Sequence, residues 1–172
     1  MKQYIFNKAN HGIIGDAFEM TIKDVLNRKN ADKVSPCGKT DFIFNHKHYD
    51  TKQNGSCIRY NKADGYIKGS NRVIYATHVA YTMTDIDADT VGVTIDLQNT
   101  DFYCVDRKEF LDFLDSIGCI KYNVSRGTVN IQTVYNYKKD AYHGKKGKLI
   151  EEWASEHYID DDAIDAIWDA LT

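Results

Sequence analysis

Hydrophobic residues recur at two different periods along the chain, and the alternation of the two divides it into elements. Phe18, Ile22, Val25 and Leu26 fall at i, i+4, i+7 and i+8, which gives one apolar face to a helix over residues 14–27. Gly15 and Asp16 stand at its start. A loop over 33–38 leads to two short runs, 40–45 (TDFIFN) and 48–53 (HYDTKQ). Both read as strands, joined by a tight turn at His46-Lys47. Asn54-Gly55 signals the next turn. Residues 72–79, 91–97 and 102–105 read as three further strands. Asp106 and Glu109 have capping-box spacing ahead of Phe110, Leu111, Phe113 and Leu114, which predicts a helix that Gly118 ends. Val129, Ile131, Thr133, Tyr135 and Tyr137 alternate as a strand. Helices near 147–157 and 160–171 follow, the last with Ile164, Ile167, Trp168 and Leu171 on one face. The order predicts a mixed α/β fold, a central mixed β-sheet flanked by helices. There is no repeat or low-complexity linker and only one proline, Pro36. One domain over 1–172 is expected, with a C-terminal helical extension over about 147–172.

Composition adds limits. The chain has 172 residues, 42% hydrophobic and 27% charged, enough to bury a sizeable core. No run is apolar enough to span a bilayer, and residues 1–14 do not read as a secretory leader. The expectation is a cytoplasmic protein. The four cysteines, Cys37, Cys57, Cys104 and Cys119, show no CxxC spacing, so a zinc site is unsupported and buried free thiols are expected. A net charge of −3 gives no overall basic field for nucleic acid. Charge is nonetheless unevenly spread. Residues 138–148 hold five lysines, and residues 160–169 hold five aspartates and no base.

Candidate chemistry lies in the hairpin. Alternation along 48–53 points Asp50 and Lys52 one way and Tyr49 and Thr51 the other. Asp41 heads the neighbouring strand, so pairing brings it toward Asp50. Glu19 follows Phe18 on the first helix, at the edge of its apolar face. Hydrolysis of a phosphodiester needs a deprotonated water, compensation for charge on the phosphorane and a stabilised leaving oxygen. Mg²⁺ held by carboxylates supplies these, and a lysine beside it can orient water.

Gly15-x-x-Phe18-Glu19, Asp41 and Asp50-Thr51-Lys52-Gln53 together resemble the PD-(D/E)XK nuclease superfamily, over roughly residues 12–115. The resemblance implies a restriction-endonuclease-like core and a metal-dependent endonuclease acting on DNA. It assigns Glu19, Asp41 and Asp50 as ligands of Mg²⁺, with Mn²⁺ able to substitute, and Lys52 as the catalytic lysine. Strand 102–105 and the helix after it would close that core. Gln53 follows the lysine as in many members. Two departures stand out: Thr40 precedes Asp41 where a proline is expected, and Asp50 replaces the commoner, longer glutamate.

Other readings of the same residues stay open. Asp50 and Lys52 would suit a solvated strand face. Asp106-Arg107-Lys108 repeats the acid-x-Lys spacing, but Asp106 is better explained as a helix cap. Lys138, Lys139, Lys145, Lys146 and Lys148, with Gln53, are candidate DNA contacts; the lysines would equally suit a solubilising loop. The apolar face of 160–171 suits core packing or, alternatively, a homodimer. A catalytically inactive nuclease-fold protein, an inhibitor or accessory factor of phage or mobile-element type, is the rival to the enzyme.

Overall fold

The structure is a computed structural model that describes residues 1–35, 40–53, 57–59, 72–118, 120–123, 128–131, 135–136, 141–142 and 145–172. It is mixed α/β. In chain order the elements are β1 (Gln3–Asn7), α1 (Ile13–Asn30), β2 (Val34–Ser35), β3 (Phe42–Phe44), β4 (Lys47–Gln53), β5 (Cys57–Arg59) and β6 (Arg72–His78). Next come β7 (Tyr81–Asp85), β8 (Thr90–Ile95), β9 (Asp101–Asp106) and α2 (Arg107–Ser116). The chain closes with β10 (Ile120–Asn123), β11 (Thr128–Ile131), β12 (Tyr135–Asn136), β13 (Ala141–Tyr142), α3 (Lys145–His157) and α4 (Asp162–Leu171).

The principal sheet has five strands in the order β2-β3-β4-β6-β9. β4 and β6 are parallel; the other neighbours are antiparallel. A three-stranded antiparallel sheet, β1-β8-β7, is built from the hairpin that lies between β6 and β9 in the chain and from the N-terminal strand. Two smaller sheets, β10-β11-β5 and β12-β13, divide the run expected as one strand over 129–137. Residues 132–134, between its two halves, lie outside the described residues, as does the Asn54-Gly55 turn.

β6 is the centre of the fold. Val73, Ile74, Tyr75 and Ala76 are all buried, as expected of a strand covered on both faces. Ile74 and Ala76 face one core with Phe18, Ile22, Val25 and Leu26 of α1 and with Ala163 and Ile167 of α4. Val73 and Tyr75 face a second core with Phe110, Leu111 and Leu114 of α2 and Ile150 of α3. The apolar faces read for α1, α2 and α4 are therefore the faces that pack. The cap on α2 is also as expected, with the Asp106 carboxylate accepting from the Glu109 N–H at 3.1 Å.

α4 is fastened to the sheet by the acidic tail. Asp161, with its side chain fully buried, accepts from Tyr49 Oη at 2.8 Å and, as N-cap, from Ala163 N at 2.9 Å. Its Oδ2 lies 3.4 Å from Arg72 Nε. Asp162 takes Asn45 Nδ2 at 2.6 Å and Lys47 Nζ at 3.1 Å. These contacts anchor the C-terminal helix to the β3–β4 hairpin.

Candidate functional site

The hairpin turn determines which side chains can meet. It falls on Asn45 and His46, one residue earlier than expected, and both have positive φ (49° and 68°). Two left-handed residues make the turn type that suits the twist of paired strands; asparagine tolerates that conformation without glycine. The resulting register pairs Phe42 with Tyr49, whose rings stack at 5.1 Å. Tyr49 belongs to the core beneath α1. Side chains alternate along a strand, so Thr51 and Gln53 share its face, while Asp50 and Lys52 project from the other. A Cβ built on Gly15 of α1 would come 3.4 Å from Gln53 Nε2, which locates Gln53 beside that helix.

Asp41 lies just before β3. Its N–H donates to Tyr49 O at 3.0 Å. Its carboxylate Oδ2 accepts from Thr51 N at 2.7 Å and from Thr51 Oγ1 at 3.0 Å. The side chain thus extends the β3–β4 ladder where the β3 backbone stops. Glu19, half-buried on α1, hydrogen-bonds to Asp41. Burial first, and then Asp41, push the Glu19 carboxyl up to about 8; Lys23 opposes the shift and Asp16 adds to it. The Glu19 and Asp41 carboxyls lie together where the first helix meets the hairpin.

Asp50 and Lys52 do not join this pair. The Asp50 side chain, 10% exposed, lies 3.7 Å from Nε of Arg107, the first residue of α2. Arg107 is itself 1% exposed, making it the largest fully buried side chain among the described residues. Lys52 is half-buried and registers against Tyr75. The sheet therefore stands between Glu19–Asp41 and Asp50–Arg107, where convergence of all four positions was expected. Among the described residues, no three histidine, cysteine or acidic groups are placed to hold a metal ion. Of the candidate DNA contacts, Lys145 and Lys146 open α3 and Lys148 is exposed on it; Lys138 and Lys139 lie outside the described residues.

No family model, curated protein or solved structure matches the chain.

Fit to Mg²⁺ can be judged from the donors. Glu19 and Asp41 offer hard oxygen atoms from a pair that lacks charge balance when both are ionised. Mg²⁺ is commonly held by one or two carboxylates, the rest of its shell being water and phosphate oxygen. The pair fits that requirement. Asp50 lies across the sheet from the pair, on Arg107, and does not contribute to that shell.

Two participants escape a reading of the sequence. Thr51 occupies the position between Asp50 and Lys52, with no signal beyond its being able to donate. Arg107 does carry a signal: a cation in the first helical turn opposes the helix dipole and calls for an acidic partner.

The Glu19 shift has a consequence for stability. Its carboxyl titrates near 8 in the fold against an ordinary 4.5. A raised pKa means that the contribution is complete below the ordinary value and is lost as pH climbs to the folded one. Glu19→Gln should therefore stabilise the protein relative to wild type more at pH 8.5 than at pH 5. Urea unfolding of both proteins at the two pH values measures this; an equal difference at each would refute the raised Glu19 pKa.

Proposed function

We propose that this protein is a metal-dependent endonuclease hydrolysing phosphodiester bonds of DNA on a restriction-endonuclease-like core. The observation that carries the reading is the Glu19–Asp41 carboxylate pair, set against the strand bearing Asp50-Thr51-Lys52. The mixed sheet, the helix carrying an acid before the hairpin, and β9 running into α2 support the same core.

In this reading Glu19 and Asp41 hold Mg²⁺, or Mn²⁺ in its place. The ion would supply Lewis-acid stabilisation of charge on the phosphate and activation of water near neutral pH. Asp41 is held in direction by Thr51. Glu19 releases its proton when the cation takes its place, so binding should tighten as pH rises toward 8. Lys52, which the resemblance makes the catalytic lysine, projects from the other face of β4 and has no step at this ion. Asp50, paired with Arg107 on the opposite face of the sheet, takes no part in holding this ion. Gln53 and the lysines at 138, 139, 145, 146 and 148 contact the DNA. A homodimer would put one such site on each strand.

Incubation of the purified protein with supercoiled plasmid and Mn²⁺ or Mg²⁺ tests the proposal. Nicked or linear product that vanishes with chelator is expected. The absence of cleavage of double-stranded DNA, single-stranded DNA and RNA alike would refute it. One observation favours a second reading, a non-catalytic nuclease-fold protein that binds nucleic acid or another protein: Asp50 is neutralised by Arg107 across the sheet from Glu19. Calorimetry showing no Mn²⁺ binding together with binding to a macromolecular partner would establish it.

A further inference from the structure

A carboxylate on a loop can rotate about two side-chain bonds, and a divalent cation gains little from a ligand that must first be ordered. Asp41 stands outside β3, so strand pairing alone does not fix its side chain. What does fix it is a single residue of β4. Thr51 directs two donors at one oxygen, its backbone N–H at 2.7 Å and its hydroxyl at 3.0 Å from Asp41 Oδ2. Thr51 is buried at 7% exposure, so water competes little for the hydroxyl. Two donors from different directions define both the plane and the reach of the carboxylate. The same grip presents Asp41 to Glu19 on α1.

We infer that Thr51 is the positioning residue of the site: its hydroxyl fixes the Asp41 carboxylate in the orientation that receives the cation with Glu19. This deepens the nuclease reading and rests on it. It also accounts for a side chain that can donate at the residue between Asp50 and Lys52, where an aliphatic residue would satisfy burial equally well. Serine retains the hydroxyl. Valine has nearly the same shape and lacks it, while the backbone N–H survives in either variant, so the comparison isolates the hydroxyl.

Isothermal titration of the full-length protein with Mn²⁺ is the test, on wild type, Thr51→Val and Thr51→Ser, with urea unfolding of each as the measure of the fold. Thr51→Val should weaken Mn²⁺ binding by about 10- to 100-fold, the usual effect of removing a group that orients a metal ligand. Thr51→Ser should recover most of the loss, whatever the small differences in stability. Wild-type protein that binds Mn²⁺ alongside a Thr51→Val variant that binds equally well would overturn the role of Thr51 and leave the nuclease reading standing. Weakening by valine that serine fails to recover would also overturn it. Wild-type protein that binds no Mn²⁺ would overturn both.

Discussion

Arg107→Met is expected to lower the unfolding free energy by about 3–5 kcal/mol, the cost of stranding one member of a buried ion pair. The guanidinium is 1% exposed, and the Asp50 side chain opposite it 10%. Methionine fills similar volume and adapts to an irregular space, so cavity formation contributes little. The loss comes from Asp50, which remains between sheet and helix without its cation. A double variant separates the terms. With Asp50→Leu added, the buried charge is gone, and an apolar pair of comparable size is often neutral or better. The double variant should therefore recover most of the single variant's loss. Urea titration of the four proteins gives the coupling energy. A single-variant loss under about 1 kcal/mol would mean that the pair does not seat α2 on the sheet.

That cycle also bears on function. If Asp50 serves stability through Arg107, its removal should raise stability in the Arg107→Met background and leave Mn²⁺ affinity unchanged. If Asp50 is instead a ligand, Mn²⁺ affinity will fall in either background. The two roles compete for one carboxylate, so the separation is clean.

Much of the architecture could be read from side-chain periodicity. The face of α1 is set by Phe18, Ile22, Val25 and Leu26, and all four are buried. The end of β9 and the start of α2 are fixed by a local device, Asp106 bonded to Glu109 N, which needs no knowledge of the remainder of the fold. Strands that exist only through distant partners were not legible. β1 is five residues long and pairs with β8, far along the chain, so Gln3–Asn7 shows only a short apolar patch. β7 is exposed from Thr82 to Asp85 and carries no inward pattern to detect. The site was legible as a set of residues and not as a geometry. A hairpin turn placed one residue earlier changes the cross-strand pairing. The bond from Thr51 N–H to the Asp41 carboxylate turns that carboxylate toward the α1 face. Neither feature has a signature in the residues 40–53 taken alone. The anchoring of α4 was likewise hidden: five aspartates between 160 and 169 look like a solvated tail, yet Asp161 is drawn inside by Tyr49 and Arg72.

Asp41→Asn should reduce DNA cleavage on the order of 10³-fold, about 4 kcal/mol in the barrier, while leaving the protein at least as stable as wild type. The two halves of that expectation have one cause. Asp41 contributes negative charge to a place where Glu19 already resists ionisation, its carboxyl standing near 8. The amide that replaces the carboxylate is nearly the same size and keeps an oxygen to accept from Thr51 N and Oγ1, so the ladder at β4 is preserved. What disappears is the charge, and with it the attraction for a divalent cation. Glu19 then titrates closer to its ordinary 4.5, burial still holding it above that value, and part of the stability lost by wild type as pH rises toward 8 is retained by the variant. Functional sites store such penalties because the ligand, rather than the fold, relieves them. Plasmid cleavage and urea unfolding at pH 8.5, each with and without Mn²⁺, measure both sides. Wild type should gain stability from Mn²⁺ and the variant should not. A variant that is less stable than wild type without metal would mean that the Asp41 carboxylate stabilises the hairpin rather than binding a cation, and the two-carboxylate metal site would have to be abandoned.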